Sequence, residues 1–198
     1  MAQALGVKMN EITDKYALKQ CFTAAYKKIF SHFRLDVEGD GLARTPERIL
    51  DSLFDAMSGY NIDPAKFLEV TFTSDYDEMI VIKNIPFTSL CEHHMMPFWG
   101  TVSIGYIPAG GKVAGLSKFP RVVQALAQRL QIQERLTGEI AKVINEKLQP
   151  QGVGVVIKAE HSCMKFRGVC SDGQMITSSL HGLLLDGARQ EFLNFLKD

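Results

Sequence analysis

The sequence predicts an α+β fold, in which an N-terminal helical region precedes a mainly antiparallel sheet with a pair of helices on one face. Two observations predict it. In the first third of the 198 residues, apolar side chains recur every three or four positions, the period of an amphipathic helix. The rest follows the order strand, strand, helix, helix, strand, strand, which is typical of α+β proteins. We therefore expect a helical region over residues 1–75 and a second domain, with the sheet and the helix pair, over 76–198.

The first region is predicted to contain two helices joined by a polar loop. Apolar residues at helical spacing cover residues 10–33, and a polar stretch with two glycines follows at 36–41. Thr45 before Pro46 favours a second helix start, with threonine as the N-cap and proline at the first helical position. Gly59 is a plausible stop for this helix.

The second region is predicted to contain four strands and three helices. The strands are rich in β-branched or alternating residues, whereas the helices carry apolar stripes at helical spacing. The predicted strands cover residues 79–85, 98–107, 153–159 and 175–180, and the predicted helices cover 118–130, 133–148 and 186–197.

Charge and hydropathy exclude several classes of protein. The 22 basic and 22 acidic side chains cancel, which argues against binding nucleic acid through bulk charge but leaves room for a local cationic pocket. No apolar run is long enough to cross a membrane, and the first residues lack the core of a signal peptide. We therefore expect a cytoplasmic protein with neither a membrane nor a nucleic-acid partner. Its four cysteines should then be free thiols or metal ligands.

The densest chemical motif is a Cys–x–x–His segment formed by Cys91 and His94. Cys163, just beyond a predicted strand, can supply a second thiolate, and two cysteines with one histidine are a catalytic zinc pattern that leaves one position open. Zinc in such a site lowers the pKa of its bound water to about 7. His93 and His161 would add proton-transfer groups. Two alternatives stay open: the cysteines can be small buried apolar residues, and His93 can be a fourth ligand of a structural site.

Three further segments carry groups suited to a phosphate or to a guanine-like ring. Ser117 can cap the helix that follows it, and Lys118 and Arg121 would add positive charge at a helix start, where anions bind. Arg167 lies four residues past the second cysteine and can bind phosphate through two hydrogen bonds. Glu134 can accept two hydrogen bonds from a guanine-like edge. Taken singly, Lys118 and Arg121 are more typical of a solvated helix face, and Glu134 of a helix first turn. Arg167 is less readily explained in this way, because it lies close to the predicted metal strand.

Together these segments resemble the GTP cyclohydrolase I family, and the resemblance spans nearly the whole chain. The matching motifs, in order, are TP-x-R at 45–48, CEHH-x-x-PF at 91–98, IGYIP at 104–108, GLSK at 115–118, Q-x-QERLT at 131–137, H-x-CM-x-x-RG at 161–168 and R-x-EF at 189–192.

The resemblance implies a tunnelling fold, ββααββ, whose units join into a ring. It implies a homodecamer of two pentamers with active sites between subunits. It also implies hydrolysis of GTP at guanine C8 with release of formate, then an Amadori rearrangement and closure to 7,8-dihydroneopterin triphosphate, the first step of folate or biopterin synthesis. The implied zinc ligands are Cys91, His94 and Cys163.

The resemblance also implies roles for the remaining residues. His161 would protonate guanine N7, His93 would assist proton transfer, and Ser117 belongs with this catalytic group while also contacting the triphosphate. The residues implied to bind substrate are Lys118, Arg121, Arg167 and Arg48 at the triphosphate, and Glu134 with Gln133 at the guanine edge.

Two alternatives compete with this interpretation. One is a tunnelling-fold paralogue acting on another purine or pterin; the related nitrile reductases use a nucleophilic cysteine without this zinc set. The other is a zinc-stabilised assembly protein that binds GTP without turnover. Cys170 and His181 lie outside the matching motifs and have no assigned role.

Overall fold

The computed structural model describes residues 15–197. The first residues of the helix predicted over 10–33, and the N-terminal stretch used to argue against a signal peptide, lie outside the described residues. The chain divides into two compact units between Asp55 and Ala56. The domain limits predicted from the sequence, 1–75 and 76–198, stay a prediction. Among the described helices, none is long and apolar enough to cross a membrane.

The first unit is helical, as predicted. Helix α1 covers Lys15–His32, and α2 covers Thr45–Ala56. The expected N-cap at Thr45 is wrong by one residue, because the Arg48 N–H already donates to the Arg44 carbonyl at 3.2 Å. Thr45 Oγ1 instead donates to the Gly41 carbonyl at 3.4 Å. The side chain of Thr45 therefore fastens the preceding loop to the helix and accepts no helical N–H.

The second unit is built on a five-stranded sheet and a separate two-stranded one. Two 3₁₀ turns come first, at Ser58–Asn61 and Pro64–Leu68. The strands are β1 Thr71–Thr73, β2 Ile80–Cys91, β3 Pro97–Ile107, β4 Lys112–Ala114, β5 Leu130–Gln131, β6 Gly152–His161 and β7 Gln174–Gly182; the helices are α3 Lys118–Ala127, α4 Gln133–Leu148, α5 Ser162–Lys165 and α6 Arg189–Phe195.

The larger sheet has the order β5-β2-β3-β6-β7, and β1 pairs with β4 in the smaller one. All neighbours in the larger sheet are antiparallel except β5, which runs parallel to β2. The four long strands and the helices α3 and α4 thus follow the order ββααββ. This confirms the predicted α+β class and the strand order that the resemblance implies.

The register brings three strand termini to one end of the sheet. Leu90, next to the end of β2, pairs with Pro97 at the start of β3. Phe98, the next residue of β3, pairs with His161 at the end of β6. Residues that follow β2 and β6 therefore emerge side by side, although they are far apart in the sequence.

Each face of the sheet carries its own apolar cluster, because side chains alternate along a strand. On one face α3 and α4 pack on the strands; this cluster includes Phe98, Val122, Leu126, Ile140, Ile144, Val155 and Ile157. On the other face α6 contributes Phe192, which packs with Val156 and Leu184. The prediction of a helix pair on one face is confirmed, and α6 covers part of the other.

The structure extends some predicted elements and shortens others. The strand predicted over 79–85 continues to Cys91, past Pro86. Proline has no N–H to donate to a neighbouring strand. Pro86 is tolerated because this part of β2 pairs with β3 alone, so no second neighbouring strand requires that donor. The helix predicted over 118–130 ends at Ala127, and Leu130 and Gln131 form β5 instead.

Two glycines should respond oppositely to the same substitution. A Cβ at Gly105 of β3 would lie 2.6 Å from the fully buried ring of Phe192, whereas a Cβ at Gly138 of α4 would meet nothing within 4 Å. We expect Gly105→Ala to lower the free energy of unfolding by about 1–3 kcal/mol through overpacking. Gly138→Ala should raise it by roughly 0.5–1 kcal/mol, because alanine favours a helix interior. Urea unfolding checks both, and equal effects would contradict this account.

Candidate functional site

A tight turn after β2 presents Cys91 and His94 on the same side. The Cys91 N–H donates to the Met96 carbonyl at 2.9 Å, and the Met95 N–H donates to the Cys91 carbonyl at 2.8 Å. Met95 adopts a left-handed φ of 51°, which closes the turn before β3 begins. As a result, Cys91 Sγ lies 3.9 Å from His94 Nδ1.

Cys163 reaches the same place from β6. His161 ends that strand, and the single helical turn α5 places Cys163 two residues later. The cysteine sulfurs and a ring nitrogen of His94 all lie within 4.8 Å of one another. Cys91 is buried, Cys163 is partly buried and His94 is exposed, so the cluster opens to solvent on the histidine side.

The donor set fits zinc. Tetrahedral zinc with Zn–S near 2.3 Å and Zn–N near 2.0 Å separates sulfur from nitrogen by about 3.5 Å and sulfur from sulfur by about 3.8 Å. The observed separation of 3.9 Å between Cys91 and His94 requires only a small adjustment. Three ligands of this type leave a fourth position for water or substrate.

The Cys163 thiol is influenced by burial and by its charged and polar neighbours. Burial raises the pKa of the Cys163 thiol, and the neighbouring Cys91 sulfur raises it further, whereas the positive charge of Arg167 lowers it. A bound divalent metal favours the thiolate form of a coordinating cysteine, so it would oppose the first two effects. Arg167 therefore lies close enough to the cluster for its charge to act there.

His93 lies at the edge of the cluster. Its Nδ1 is 3.9 Å from Cys91 Sγ, yet its side chain is 65% exposed and it is not one of the three grouped donors. The rings of His93 and His94 stand nearly perpendicular, with centroids 6.3 Å apart. This geometry favours three protein ligands, with His93 beside them, over a closed site of four.

The ring of His161 is held in place by contacts with buried side chains. Its ring stacks on Phe98 with an interplanar angle of 2° and centroids 4.7 Å apart. Its Nε2 lies 2.8 Å from Gln133 Oε1. The Gln133 amide nitrogen donates to the Ile157 and Met175 carbonyls, so Oε1 is the acceptor and His161 Nε2 carries a hydrogen. In the neutral ring, Nδ1 is then the nitrogen that can take up a proton.

Two opposing influences set the charge of His161. Burial lowers the pKa of this histidine, and the carboxylate of Glu134 partly offsets that effect by raising it. Glu134 itself is exposed in the first turn of α4. A carboxylate and a histidine that interact at an open edge form a pair suited to binding a polar ring and transferring a proton to it.

Gln133, which the resemblance implies at the guanine edge, is a buried residue. It is only 1% exposed, and its amide also donates to Thr177 Oγ1 at 3.1 Å. Contact with a guanine edge would break bonds that hold the end of β6 to α4. The geometry therefore favours Gln133 as a support for His161 and leaves Glu134 at the open edge.

The predicted triphosphate residues lie on separate elements. Lys118 and Arg121 occupy the first turn of α3. Ser117 stands at the N-cap position, as predicted, but its side chain makes no capping hydrogen bond. Ser117 lines a groove of about 960 Å³ between β2 and α3, together with Asn84, Thr88 and Gln124, among others. The three metal-ligand candidates do not line this groove. Arg48 lies on α2, in the first unit.

Sequence reasoning missed one polar network beside the metal turn. Glu92 forms an ion pair with Arg135, which also donates to Gln131 Oε1 and to the Leu130 carbonyl. The sequence shows a glutamate inside the Cys–x–x–His motif and an arginine inside the Gln–Glu–Arg motif, in two separate segments. No spacing in the sequence joins them, because their contact depends on β5 pairing with β2.

Comparisons with known proteins identify the family to which the chain is similar. The family model described as GTP cyclohydrolase I matches residues 22–197. A GTP cyclohydrolase 1 of Bacillus mycoides (strain KBAB4) is 44% identical over 165 residues, which are 82% of this chain and 87% of that protein. The same figures hold for a GTP cyclohydrolase 1 of Bacillus anthracis (strain CDC 684 / NRRL 3495).

A crystal structure of the archaeosine synthase QueF-Like in the apo form aligns with a TM-score of 0.39 and 20% identity, covering 51% of this chain and 92% of that one. The assignment rests on the match over most of the chain and on the 44% identity to the Bacillus proteins. The chain belongs to the GTP cyclohydrolase I family.

Proposed function

We propose that this protein is a zinc-dependent GTP cyclohydrolase I, which hydrolyses GTP at guanine C8, releases formate and forms 7,8-dihydroneopterin triphosphate. The observation that carries the proposal is the convergence of Cys91, His94 and Cys163 beside His161, whose pKa is influenced by Glu134. A metal-ligand set with an open position, a proton-transfer group and a carboxylate then lie at one end of the sheet. Family membership supports the same reaction.

Cys91, His94 and Cys163 would hold the zinc ion. When bound, zinc supplies Lewis acidity that makes water a nucleophile near neutral pH. The glutamate carboxylate of Glu134 binds the N–H groups of the guanine edge and so orients the ring. His161, once protonated at Nδ1, donates to guanine N7 and makes C8 more electrophilic. His93, at the exposed side of the cluster, assists proton transfer as the ring opens.

The triphosphate would be bound by Ser117, Lys118, Arg121 and Arg167, with Arg48 as a further contact. Arg167 is the best placed of these, because its charge already acts on Cys163. Binding of the phosphates far from C8 supplies energy that holds the reacting ring in place. Zero net charge is compatible with this function, since a few converging cations suffice for one nucleotide.

We also propose a cytoplasmic homodecamer of two pentamers, with residues 76–198 as the catalytic domain. Support comes from the family, which implies oligomeric assembly, and from Ser117, which lines a groove that the three metal-ligand candidates do not line. The proposed partners are GTP and further copies of this chain, with no role for nucleic acid or a membrane.

Incubation of the zinc-loaded protein with GTP tests the function. Formate and the fluorescent oxidised pterin should appear in equal amounts and should disappear after chelation and return with added zinc. The proposal would be defeated if the zinc-loaded protein formed neither product. GTP binding without either product would favour the non-enzymatic alternative, and gel filtration of the same sample tests the decamer.

Gln133→Met should separate support of His161 from binding of guanine. Methionine fills a similar volume but cannot hydrogen-bond His161, so kcat should fall about 10- to 100-fold while KM for GTP changes little. Loss of the donors to Ile157 and Met175 should cost about 1–3 kcal/mol of unfolding free energy. Steady-state kinetics checks this, and a raised KM at unchanged kcat would return Gln133 to the guanine edge.

A further inference from the structure

The turn that carries Cys91 and His94 is tied to α4 by a chain of polar contacts. The Glu92 N–H donates to the Gln131 carbonyl at 3.0 Å, which anchors the turn to β5 through the backbone. The Glu92 side chain also forms an ion pair with Arg135 Nη2 at 2.5 Å. Glu92, one of the two residues between Cys91 and His94, is thus held at its backbone and at its carboxylate.

Arg135 is itself held at several points. Its Nε donates to Gln131 Oε1 at 2.8 Å, and its Nη2 donates to the Leu130 carbonyl at 2.9 Å. Gln131 is only 1% exposed, and its amide donates to the Leu126 carbonyl and to Glu139 Oε2. A planar guanidinium that makes bonds in several directions has little freedom to move. The network therefore extends from the body of α4 to the metal turn without a gap.

The geometry points to a positioning role for this network: we propose that Glu92 and Arg135 clamp the Cys91–His94 turn against α4 and thereby set the affinity of the site for zinc. The inference rests on the proposed zinc-dependent function. Neither side chain belongs to the three donors, so both act through the turn. Outer contacts that orient a ligand typically change metal affinity by about 10- to 100-fold when removed.

Global stability should depend little on this ion pair. The side chains of Glu92 and Arg135 are 33% and 38% exposed, and ion pairs with such access to water contribute little to folding. The same pair controls where one short turn points. Zinc affinity should therefore respond strongly to Glu92→Ala while the unfolding midpoint scarcely moves. Arg135→Leu should lower the midpoint as well, because it also removes the donor to the buried Gln131 Oε1.

Zinc affinity by chelator competition, in the purified full-length protein, tests the proposal without GTP. We expect Glu92→Ala and Arg135→Leu each to weaken zinc binding by about 10- to 100-fold. The double variant should bind zinc no more weakly than the single variant with the lower affinity, because both substitutions remove the same contact. Glu92→Gln, which keeps an acceptor for Arg135 but loses the charge, should bind zinc more tightly than Glu92→Ala.

Cobalt substitution provides a second measurement. The thiolate-to-cobalt absorption should change in Glu92→Ala and return towards wild type in Glu92→Gln. Glu146→Ala is the matched control, since it removes an exposed ion pair with Lys142 on the same helix. It should leave both zinc affinity and the cobalt spectrum unchanged.

The outcomes separate the inference from the proposed function. Wild-type zinc affinity in both Glu92→Ala and Arg135→Leu would overturn the inference and leave the function intact. A wild-type protein that binds no zinc would defeat the function itself. If Glu92→Ala fails to fold, Glu92→Gln and Arg135→Leu decide, and wild-type affinity in these two variants would likewise overturn the proposal.

Discussion

Cys163→Ser is expected to abolish both stoichiometric zinc binding and formate release. Serine is nearly the same size as cysteine, but its hydroxyl stays protonated near neutral pH and is a poor zinc ligand. The remaining donors, Cys91 and His94, come from a single turn. Zinc affinity should therefore fall by more than about 100-fold relative to wild type, because removing a metal ligand costs more than removing a residue that only orients one. Metal analysis of the dialysed protein and a formate assay measure the two effects.

Cys170→Ser is the matched control for this prediction. Cys170 is exposed, lies in the same segment and is outside the three-donor group. Its replacement should leave zinc content and formate release unchanged. Full turnover of Cys163→Ser in the absence of metal would remove Cys163 from the mechanism and with it the zinc assignment.

Much of the fold follows from periodicity alone. The strand at 98–107 and the helix at 133–148 were predicted within a residue of their observed limits, because their apolar residues alternate or recur on one helix face without interruption. The prediction was poorer where tertiary pairing overrides local signals. Pro86 concealed the second half of β2, and β5 is a strand only because Leu130 and Gln131 pair with Leu90 and Cys91.

The candidate site was predictable in its donors and less so in its supports. Cys91 and His94 have the spacing of a metal-binding turn, and Cys163 follows a predicted strand. The register of β2, β3 and β6 brings the three together. The inward orientation of Gln133 could not be predicted, because a glutamine at a helix start is usually solvated. Its acceptors on β6 and β7 lie more than twenty residues away in sequence.

His161→Asn is expected to lower kcat by about 10²- to 10⁴-fold while zinc stays bound, the range expected for loss of a proton-transfer group. Asparagine cannot carry a proton at neutral pH, and its shorter side chain also gives up the stacking on Phe98. Zinc should persist because the three donors come from other residues. Single-turnover formate release together with zinc analysis measures the two effects separately.

His181→Asn is the matched histidine control, because His181 lies on β7, pairs with Val153 and contacts Ser179. Its replacement should leave kcat within about 2-fold of wild type, as expected for a residue outside the proton-transfer machinery. The contrast between the two variants separates acid catalysis from general disturbance of the sheet. Equal losses in both would mean that His161 acts through the sheet, whereas zinc loss in His161→Asn would make it part of the metal centre. Either result would contradict its assignment as the group that protonates guanine N7.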